Sequence, residues 1–224
     1  MAGRELYFIS GSPPCWSVML ALGVKDLDYT PRRLSNSAGD QKSPEYLAIN
    51  PRGHVPVLLD GDTVVTETLA VLSYLDSAYP TPSLFGETPE ETARIWQTIS
   101  ECDGHLRGPV GNISRPLFRS KAPEFEEQII SAAVQVRDEL ALLEARLADA
   151  NWLAGGSVSA ADLMVFPVLM QLTRATDKDE AAPLNLAISP LETHYPAIAA
   201  WQSRMETLSG FDNAYPPHWK DQAA

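Results

Sequence analysis

The sequence contains few of the residues that would support a disulfide framework or a metal site. Cys15 and Cys102 are the only cysteines among 224 residues, which is too few for a disulfide framework. His105, His194 and His218 lie far apart, without the spacing of metal ligands. No glycine-rich phosphate loop and no nucleophile elbow is visible either. We therefore predict that the protein binds neither a metal nor a nucleotide.

Positive charge and long apolar segments are also scarce. The chain has 17 Lys and Arg residues against 29 Asp and Glu residues, a formal net charge of -12. This balance argues against nucleic acid and anionic membrane surfaces as partners, because both would repel the chain. No segment approaches the length of a membrane span, and residues 1–5 lack an apolar signal-peptide core. We expect a cytoplasmic protein.

Length and an apolar content of 45% instead predict two compact domains. The first part of the chain has the order βαβαββα: strand 6–9, helix 15–23, strand 29–34, helix 43–49, a hairpin from 55 to 65 and helix 67–79. A proline-rich connector follows, and after Thr88-Pro89 the chain looks entirely helical. We expect an α/β domain in residues 1–80, a linker at 81–88 and an all-α helical bundle domain in 89–224.

Two patterns in the helical part indicate structure rather than chemistry. A buried helix stripe is predicted by apolar residues that recur with gaps of four and three, namely Ile129, Ala133, Val136, Leu140, Leu143 and Leu147. Ser159 is expected to cap the next helix, with Asp162 returning the hydrogen bond, so we interpret Asp162 as structural. The tail from 211 to 219 is expected to form an extended strap.

The hairpin region is the segment most suggestive of a binding site. Val55-Pro56 opens its first strand, and the turn at 60–62 leads into the second. If the Val55–Pro56 bond is cis, the backbone of Val55 is turned outward, where an extended peptide could pair with it. The alternative interpretation is an ordinary hairpin with no ligand.

The helix that follows the hairpin adds charge selectivity to this site. Thr66 is the expected N-cap, and the free amides at the helix start attract a carboxylate. Glu67, next to Thr68, could pair with an ammonium group. Together these groups would recognise an amino-acid terminus, although a plain capped helix is the alternative.

This combination resembles the glutathione-binding half of the cytosolic glutathione transferases, and the resemblance extends over essentially the whole chain. It implies a thioredoxin-like first domain and a homodimer. In that family the residue before a cis-proline pairs through its backbone with the cysteinyl part of glutathione, which here implies Val55, followed by Pro56. The resemblance also implies that Glu67 and Thr68 hold the γ-glutamyl end, with Thr68 where serine is more common.

Two further residues are implied as glutathione ligands. Residues 41–45 resemble the loop that approaches the glycine carboxylate in the plant-type classes, so Lys42 is a candidate cation for that carboxylate. An exposed surface lysine is the alternative. His54 is included among the expected glutathione-binding residues, although many members carry Gln or Lys at its position.

The expected centre of the chemistry is the segment from 10 to 17, where the first strand meets the first helix. Ser12 stands before Pro13 and is the natural N-cap, which is a sufficient role by itself. By resemblance to the serine-type classes of the family, the bacterial, tau, phi and zeta ones, Ser12 aligns with the active-site serine. Its hydroxyl would donate a hydrogen bond to the sulfur of glutathione.

Cys15 invites a redox interpretation, because Ser12 and Cys15 have the spacing of a Cys-x-x-Cys pair. The attacking position is serine, which argues against dithiol exchange. We therefore interpret Cys15 as a buried apolar residue. Zeta-like members carry a cysteine where this chain has Pro14, which weakens an isomerase interpretation.

The sequence thus predicts a glutathione transferase-like enzyme that activates the thiol of glutathione for attack on an electrophilic small molecule. The electrophile is expected to bind between the domains, with the all-helical domain contributing to its site. The alternatives are a glutathione-dependent isomerase, a disulfide reductase, or a non-catalytic dimerisation or docking module of the same family.

Overall fold

The computed structural model describes residues 3–220. The chain forms two compact units. The first unit contains the chain up to Leu84 together with the segment from Thr207 onward, and the second spans Phe85–Glu206. The first combines a sheet with helices and the second is helical, which confirms the predicted fold class.

The described part of the first unit has the predicted βαβαββα order. Its strands are β1 (Glu5–Phe8), β2 (Thr30–Arg33), β3 (Val57–Asp60) and β4 (Thr63–Thr66). Its first three helices are α1 (Pro13–Val24), α2 (Pro44–Ile49) and α3 (Thr68–Ala78), and a 3-10 turn at Asp40–Lys42 precedes α2. The hydroxyl of Ser43 caps α2 by accepting the N–H of Tyr46 at 3.2 Å.

The sheet has the strand order β2-β1-β3-β4. β1 is parallel to β2 and antiparallel to β3, and β3 is antiparallel to β4. Val57 at the start of β3 faces Tyr7 of β1 on one side and Thr66 at the end of β4 on the other. The ends of β1, β2 and β4 and the start of β3 therefore share one edge of the sheet.

Helix α1 is buried along most of its length, and a buried lysine fixes its end. The eight residues 15–22 are all buried, so α1 has no wide solvent-exposed face. The side chain of Lys25 is fully buried, and its ammonium donates to the Asp76 carboxylate at 3.1 Å and to the carbonyl oxygens of Tyr79 and Pro82 at 2.7 and 2.6 Å. These bonds tie the end of α1 to the end of α3 and give the buried ammonium three acceptors, so losing one of them would leave a poorly compensated buried charge.

The second unit is built from helices. They are α4 (Pro89–Glu101), α5 (Arg107–Phe118), α6 (Glu126–Leu147), α7 (Ala160–Thr176), α8 (Leu191–His194) and α9 (Pro196–Glu206). A π-helical turn at Cys102–Leu106 joins α4 to α5, and 3-10 turns lie at Ala122–Glu124 and Asp179–Leu184. Within the described residues, no helix combines the length and apolar character needed to cross a bilayer.

The predicted stripe and capping box are both confirmed in this unit. All six stripe residues of α6 are buried. At the start of α7, the Asp162 carboxylate accepts the N–H and hydroxyl of Ser159, each at 3.0 Å. Its other oxygen accepts the N–H of Leu153 and the indole N–H of Trp201, both at 2.9 Å. Asp162 is fully buried, and its four donors match the interpretation of a structural residue.

The C-terminal segment differs from the sequence expectation. It forms the short helices α10 (Phe211–Ala214) and α11 (Pro217–Lys220) rather than an extended strap, and it belongs to the first unit although residues up to 224 were expected in the helical domain. The cause is aromatic packing on α1: the ring of Trp16 lies 6.3, 5.9 and 5.3 Å from those of Phe211, Tyr215 and Trp219. Such contacts between residues far apart along the chain have no local sequence signal.

Replacing Asp162 with Asn should lower the free energy of unfolding by about 3 kcal/mol, because an amide nitrogen would face buried donors that lose their acceptor. Denaturant-induced unfolding followed by circular dichroism measures this loss. Asp138→Asn, on the exposed side of α6, is the control and should cost less than about 0.5 kcal/mol. Equal stability of the two variants would contradict the structural role of Asp162.

Candidate functional site

All seven candidate residues lie in the first unit, in segments that meet at the sheet edge described above. Ser12 follows β1, and Lys42 lies in the segment after β2. His54, Val55 and Pro56 precede β3, and Glu67 and Thr68 follow β4. The sheet register therefore brings together residues that are up to 56 positions apart in the sequence.

Two buried side chains fix the loop that leads into β3. The carbonyl oxygen of His54 accepts hydrogen bonds from the Tyr46 hydroxyl at 2.6 Å and from Asn50 Nδ2 at 2.8 Å. Asn50 Oδ1 accepts the N–H of Arg52 at 3.2 Å. Because Tyr46 and Asn50 are both only 3% exposed, these bonds are shielded from water and hold the loop in one conformation.

The predicted cis bond is present between Val55 and Pro56. Val55 lies two residues before the first residue of β3, so it stands outside the strand ladder, while Pro56 is buried. The His54 side chain is exposed and only its backbone is used by the loop. Contact of these three residues with a ligand stays a prediction.

Lys42 contacts the same loop through its ammonium group. Lys42 Nζ donates to the carbonyl oxygen of Arg52 at 3.2 Å, and the side chain is otherwise exposed. A β-carbon at Gly53, whose φ is +62°, would lie 2.7 Å from the backbone oxygen of Gln41 as well as from Lys42 Nζ, so the loop requires glycine here. An ammonium group has three donors, which leaves Lys42 able to bind an anion as well.

Helix α3 begins one residue later than the sequence expectation. Thr66 was the expected N-cap, but it is the last residue of β4 and is held extended by pairing with Val57. The chain turns instead at Glu67, which has φ +68° and accepts the N–H of Val71 at its carbonyl oxygen at 2.9 Å. The Glu67 side chain makes no capping bond, and Thr68 is the first helical residue.

The carboxylate of Glu67 therefore remains available at the surface. Its side chain is 63% exposed, and Oε1 lies 3.8 Å from Nε of Arg52, which is 74% exposed. Arg52 was not among the residues predicted for the site. Tyr46 and Asn50 were not predicted either, although an Asn-Pro pair before a strand is a turn signal.

Ser12 occupies the N-cap position of α1, as expected. Its carbonyl oxygen accepts the N–H groups of Cys15 and Trp16 at 3.0 and 3.1 Å. Its hydroxyl, however, makes no capping hydrogen bond, and the residue is half-buried. The Ser12 side chain does not cap the backbone of α1 and hydrogen-bonds the Cys15 side chain instead, so its catalytic role stays a prediction.

The thiol of Cys15 is fully buried beneath this turn. Burial raises the pKa of Cys15 to about 11, while hydrogen bonds with the Ser12 side chain and the Ile9 backbone act in the opposite direction. Burial also raises the pKa of Cys102 to about 12. Both cysteines are protonated near neutral pH, and Cys15 is confirmed as a buried packing residue.

A separate cavity of about 490 Å³ lies in the first unit. It extends along α1 and β2 to the C-terminal segment and is bordered by Ser10, Gly11 and Trp16. None of the seven candidate residues lines it. Across the described residues, no group of three or more His, Cys, Asp or Glu side chains is arranged to hold a metal ion.

Comparison with known proteins identifies the same family for both halves of the chain. Residues 6–83 match the family model of the glutathione S-transferase N-terminal domain, and residues 89–201 match that of the C-terminal domain. The chain is 30% identical over 220 residues to glutathione S-transferase A of Pleuronectes platessa, covering 94% of this chain and 90% of the relative.

Two further relatives agree with this assignment. Maleylacetoacetate isomerase of Pseudomonas aeruginosa is 30% identical over 200 residues, covering 87% of this chain and 93% of the relative. The crystal structure of a glutathione S-transferase from the Antarctic clam Laternula elliptica is 28% identical, with a TM-score of 0.78 over 98% of this chain and 95% of that chain.

The buried thiols generate a prediction about reactivity. At pH 8 the thiolate fraction is about a quarter at the ordinary pKa of about 8.5, but only about 0.1% at a pKa near 11. Alkylation of Cys15 by iodoacetamide should therefore be about 200-fold slower in the folded protein than in urea. Mass spectrometry of the labelled peptides measures both cysteines separately. Labelling of Cys15 in the folded protein at the unfolded rate would contradict its burial.

Proposed function

The chain belongs to the glutathione S-transferase family, and on this premise we propose that it activates the thiol of glutathione for attack on an electrophilic small molecule. The observation that carries this proposal is that Ser12, whose hydroxyl makes no capping bond to the backbone of α1, lies at the same edge of the sheet as the exposed Glu67 carboxylate. A group that activates sulfur and a group that binds an ammonium are both needed for this chemistry.

We assign the binding of glutathione to groups along this edge. Glu67 takes the ammonium of the γ-glutamyl end, while the Thr68 hydroxyl and the free amides at the start of α3 take its carboxylate. The Val55 backbone pairs with the cysteinyl part. Lys42 and His54, both exposed, take the glycine carboxylate.

The chemical step is the formation of a thiolate on glutathione itself. A free thiol has a pKa near 8.5, so about 3% is ionised at pH 7. A hydrogen bond to a charged acceptor contributes about 1.5 to 3 kcal/mol, and about 2.7 kcal/mol lowers a pKa by two units. The Ser12 hydroxyl at the start of α1 can supply this difference, aided by the helix dipole.

The thiol proton leaves to solvent water, and the sulfur lone pair forms the new carbon–sulfur bond. In a substitution, the leaving group departs with the electron pair of the bond that breaks. In an addition, the electron pair of the double bond takes up a proton from solvent.

A glutathione-dependent isomerase is the second candidate, favoured by the similarity to the Pseudomonas aeruginosa isomerase. The two activities differ in the fate of glutathione, because a transferase consumes it and an isomerase regenerates it. The buried thiol of Cys15 gives little support to a disulfide reductase. Absence of glutathione binding would favour a docking module instead.

We further propose that the protein is a cytosolic homodimer. Exposed apolar side chains such as Val64 at 51% and Trp96 at 41% offer surfaces that a second copy could cover. Two free cysteines without a disulfide suit a reducing compartment. Sedimentation of the purified chain measures its oligomeric state.

Ser12→Ala should lower turnover at pH 7 about 20-fold, because the thiolate fraction of bound glutathione would fall from about three quarters to about 3%. The loss should disappear at high pH, where the thiol ionises without help, and the affinity for glutathione should change little. Ultraviolet absorbance of the thiolate in a glutathione titration, together with the pH profile of turnover, measures both effects.

Ser10→Ala is the matched control, since it removes a neighbouring hydroxyl from the same turn. It should leave the thiolate signal unchanged. Normal turnover and a normal pH profile in the Ser12 variant would remove Ser12 from the catalytic role. Absence of saturable glutathione binding by the unaltered protein would refute the enzyme proposal itself.

A further inference from the structure

We propose that Arg52 is a further glutathione-binding residue, whose guanidinium group binds the α-carboxylate of the γ-glutamyl end while Glu67 binds its ammonium. This inference rests on the proposed function and specifies how the site selects its ligand. The geometry that points to it is the pairing of Arg52 with Glu67.

The ion pair between these residues is too exposed to be a structural device. Nε of Arg52 lies 3.8 Å from Oε1 of Glu67, and the side chains are 74% and 63% exposed. Exposed ion pairs of this kind contribute about 0 to 1 kcal/mol to stability, since water screens them. Both charged groups therefore stay accessible to a ligand.

The backbones of both residues are nevertheless held in place. The N–H of Arg52 donates to Asn50 Oδ1 at 3.2 Å, and its carbonyl oxygen accepts from Lys42 Nζ at 3.2 Å. Glu67 is fixed between the last residue of β4 and the first residue of α3. The two charges thus project from fixed points, which lowers the ordering cost of binding.

The γ-glutamyl group presents a complementary pair of charges. Its α-carbon bears one carboxylate and one ammonium, so a site with a cation and an anion side by side can bind both at once. A guanidinium group has five N–H donors, and a carboxylate can accept two of them in parallel. A single contact from Nε leaves the terminal nitrogens of Arg52 able to bind this carboxylate.

The two charges also predict selectivity. A peptide that lacks the ammonium would leave the Glu67 carboxylate next to another carboxylate, which is repulsive. A peptide that lacks the α-carboxylate would gain nothing from the guanidinium of Arg52. The contribution of Arg52 to affinity should therefore depend on the α-carboxylate of the ligand and not on its ammonium. The contribution of Glu67 should depend on the ammonium and not on the α-carboxylate.

The test is calorimetric titration of the full chain with glutathione and two analogues. The first analogue, γ-aminobutyryl-Cys-Gly, lacks the α-carboxylate, and the second, glutaryl-Cys-Gly, lacks the ammonium. Arg52→Ala should weaken glutathione binding about 10-fold. The same substitution should weaken binding of the glutaryl peptide by a similar factor and leave binding of the γ-aminobutyryl peptide unchanged. Glu67→Gln should show the converse pattern, weakening only the two ligands that carry an ammonium.

Arg32→Ala is the matched control, because it breaks the exposed Arg32–Glu5 ion pair of the same unit at 2.8 Å. It should leave all three affinities unchanged. The unfolding midpoint of the Arg52 variant should equal that of the unaltered protein, which excludes loss of fold as the cause.

An equal loss of affinity for glutathione and the γ-aminobutyryl peptide would overturn the assignment of Arg52 to the α-carboxylate. Tighter glutathione binding by Arg52→Ala would also overturn it, since Arg52 would then compete with the ammonium for Glu67. These outcomes are distinct from failure of the proposed function, in which the unaltered protein would show no saturable glutathione binding.

Discussion

Two hydrogen bonds to the carbonyl oxygen of His54, from Tyr46 and Asn50, hold the loop on which the candidate site depends. The loop leads directly into Val55 and β3, so its conformation determines which backbone groups face the sheet edge. It also fixes the backbone of Arg52, because Asn50 accepts the Arg52 N–H. Buried hydrogen bonds of this kind order the loop during folding, so ligand binding does not need to supply the entropy cost of ordering it.

The charges at this edge are unlike those of the chain as a whole. The net charge is -12, yet the Lys42 ammonium contacts the backbone of Arg52, and the Arg52 guanidinium lies 3.8 Å from the Glu67 carboxylate. A ligand with two carboxylates and one ammonium, as glutathione has at neutral pH, is complementary to this local arrangement. The net charge argues against polyanionic partners, whereas on the proposed function a few fixed charges select the small ligand.

The reactive sulfur in this fold could belong either to a cysteine of the protein or to a bound co-substrate, and the structure distinguishes the two. Cys15 lies one helical turn from Ser12, but burial keeps its thiol protonated, with a pKa of about 11. The Ser12 hydroxyl is half-buried and makes no capping bond. On the proposed function, the protein does not supply the nucleophile itself: Ser12 supplies a hydrogen-bond donor, and the nucleophilic sulfur arrives with the co-substrate.

The sequence by itself determined the features that depend on residues a few positions apart. These are the helix stripe 129–147, the capping box of Ser159 and Asp162, and the N-cap position of Ser12. Family resemblance added the candidate binding residues. Only the tertiary structure decided that β-sheet pairing delays the start of α3 to Thr68 and that Lys25 joins α1 to α3. It also decided that the C-terminal helices pack on Trp16 and that Arg52 lies beside Glu67. These contacts join residues far apart in the chain, and packing and sheet register bring them together without any periodicity that a local pattern could encode.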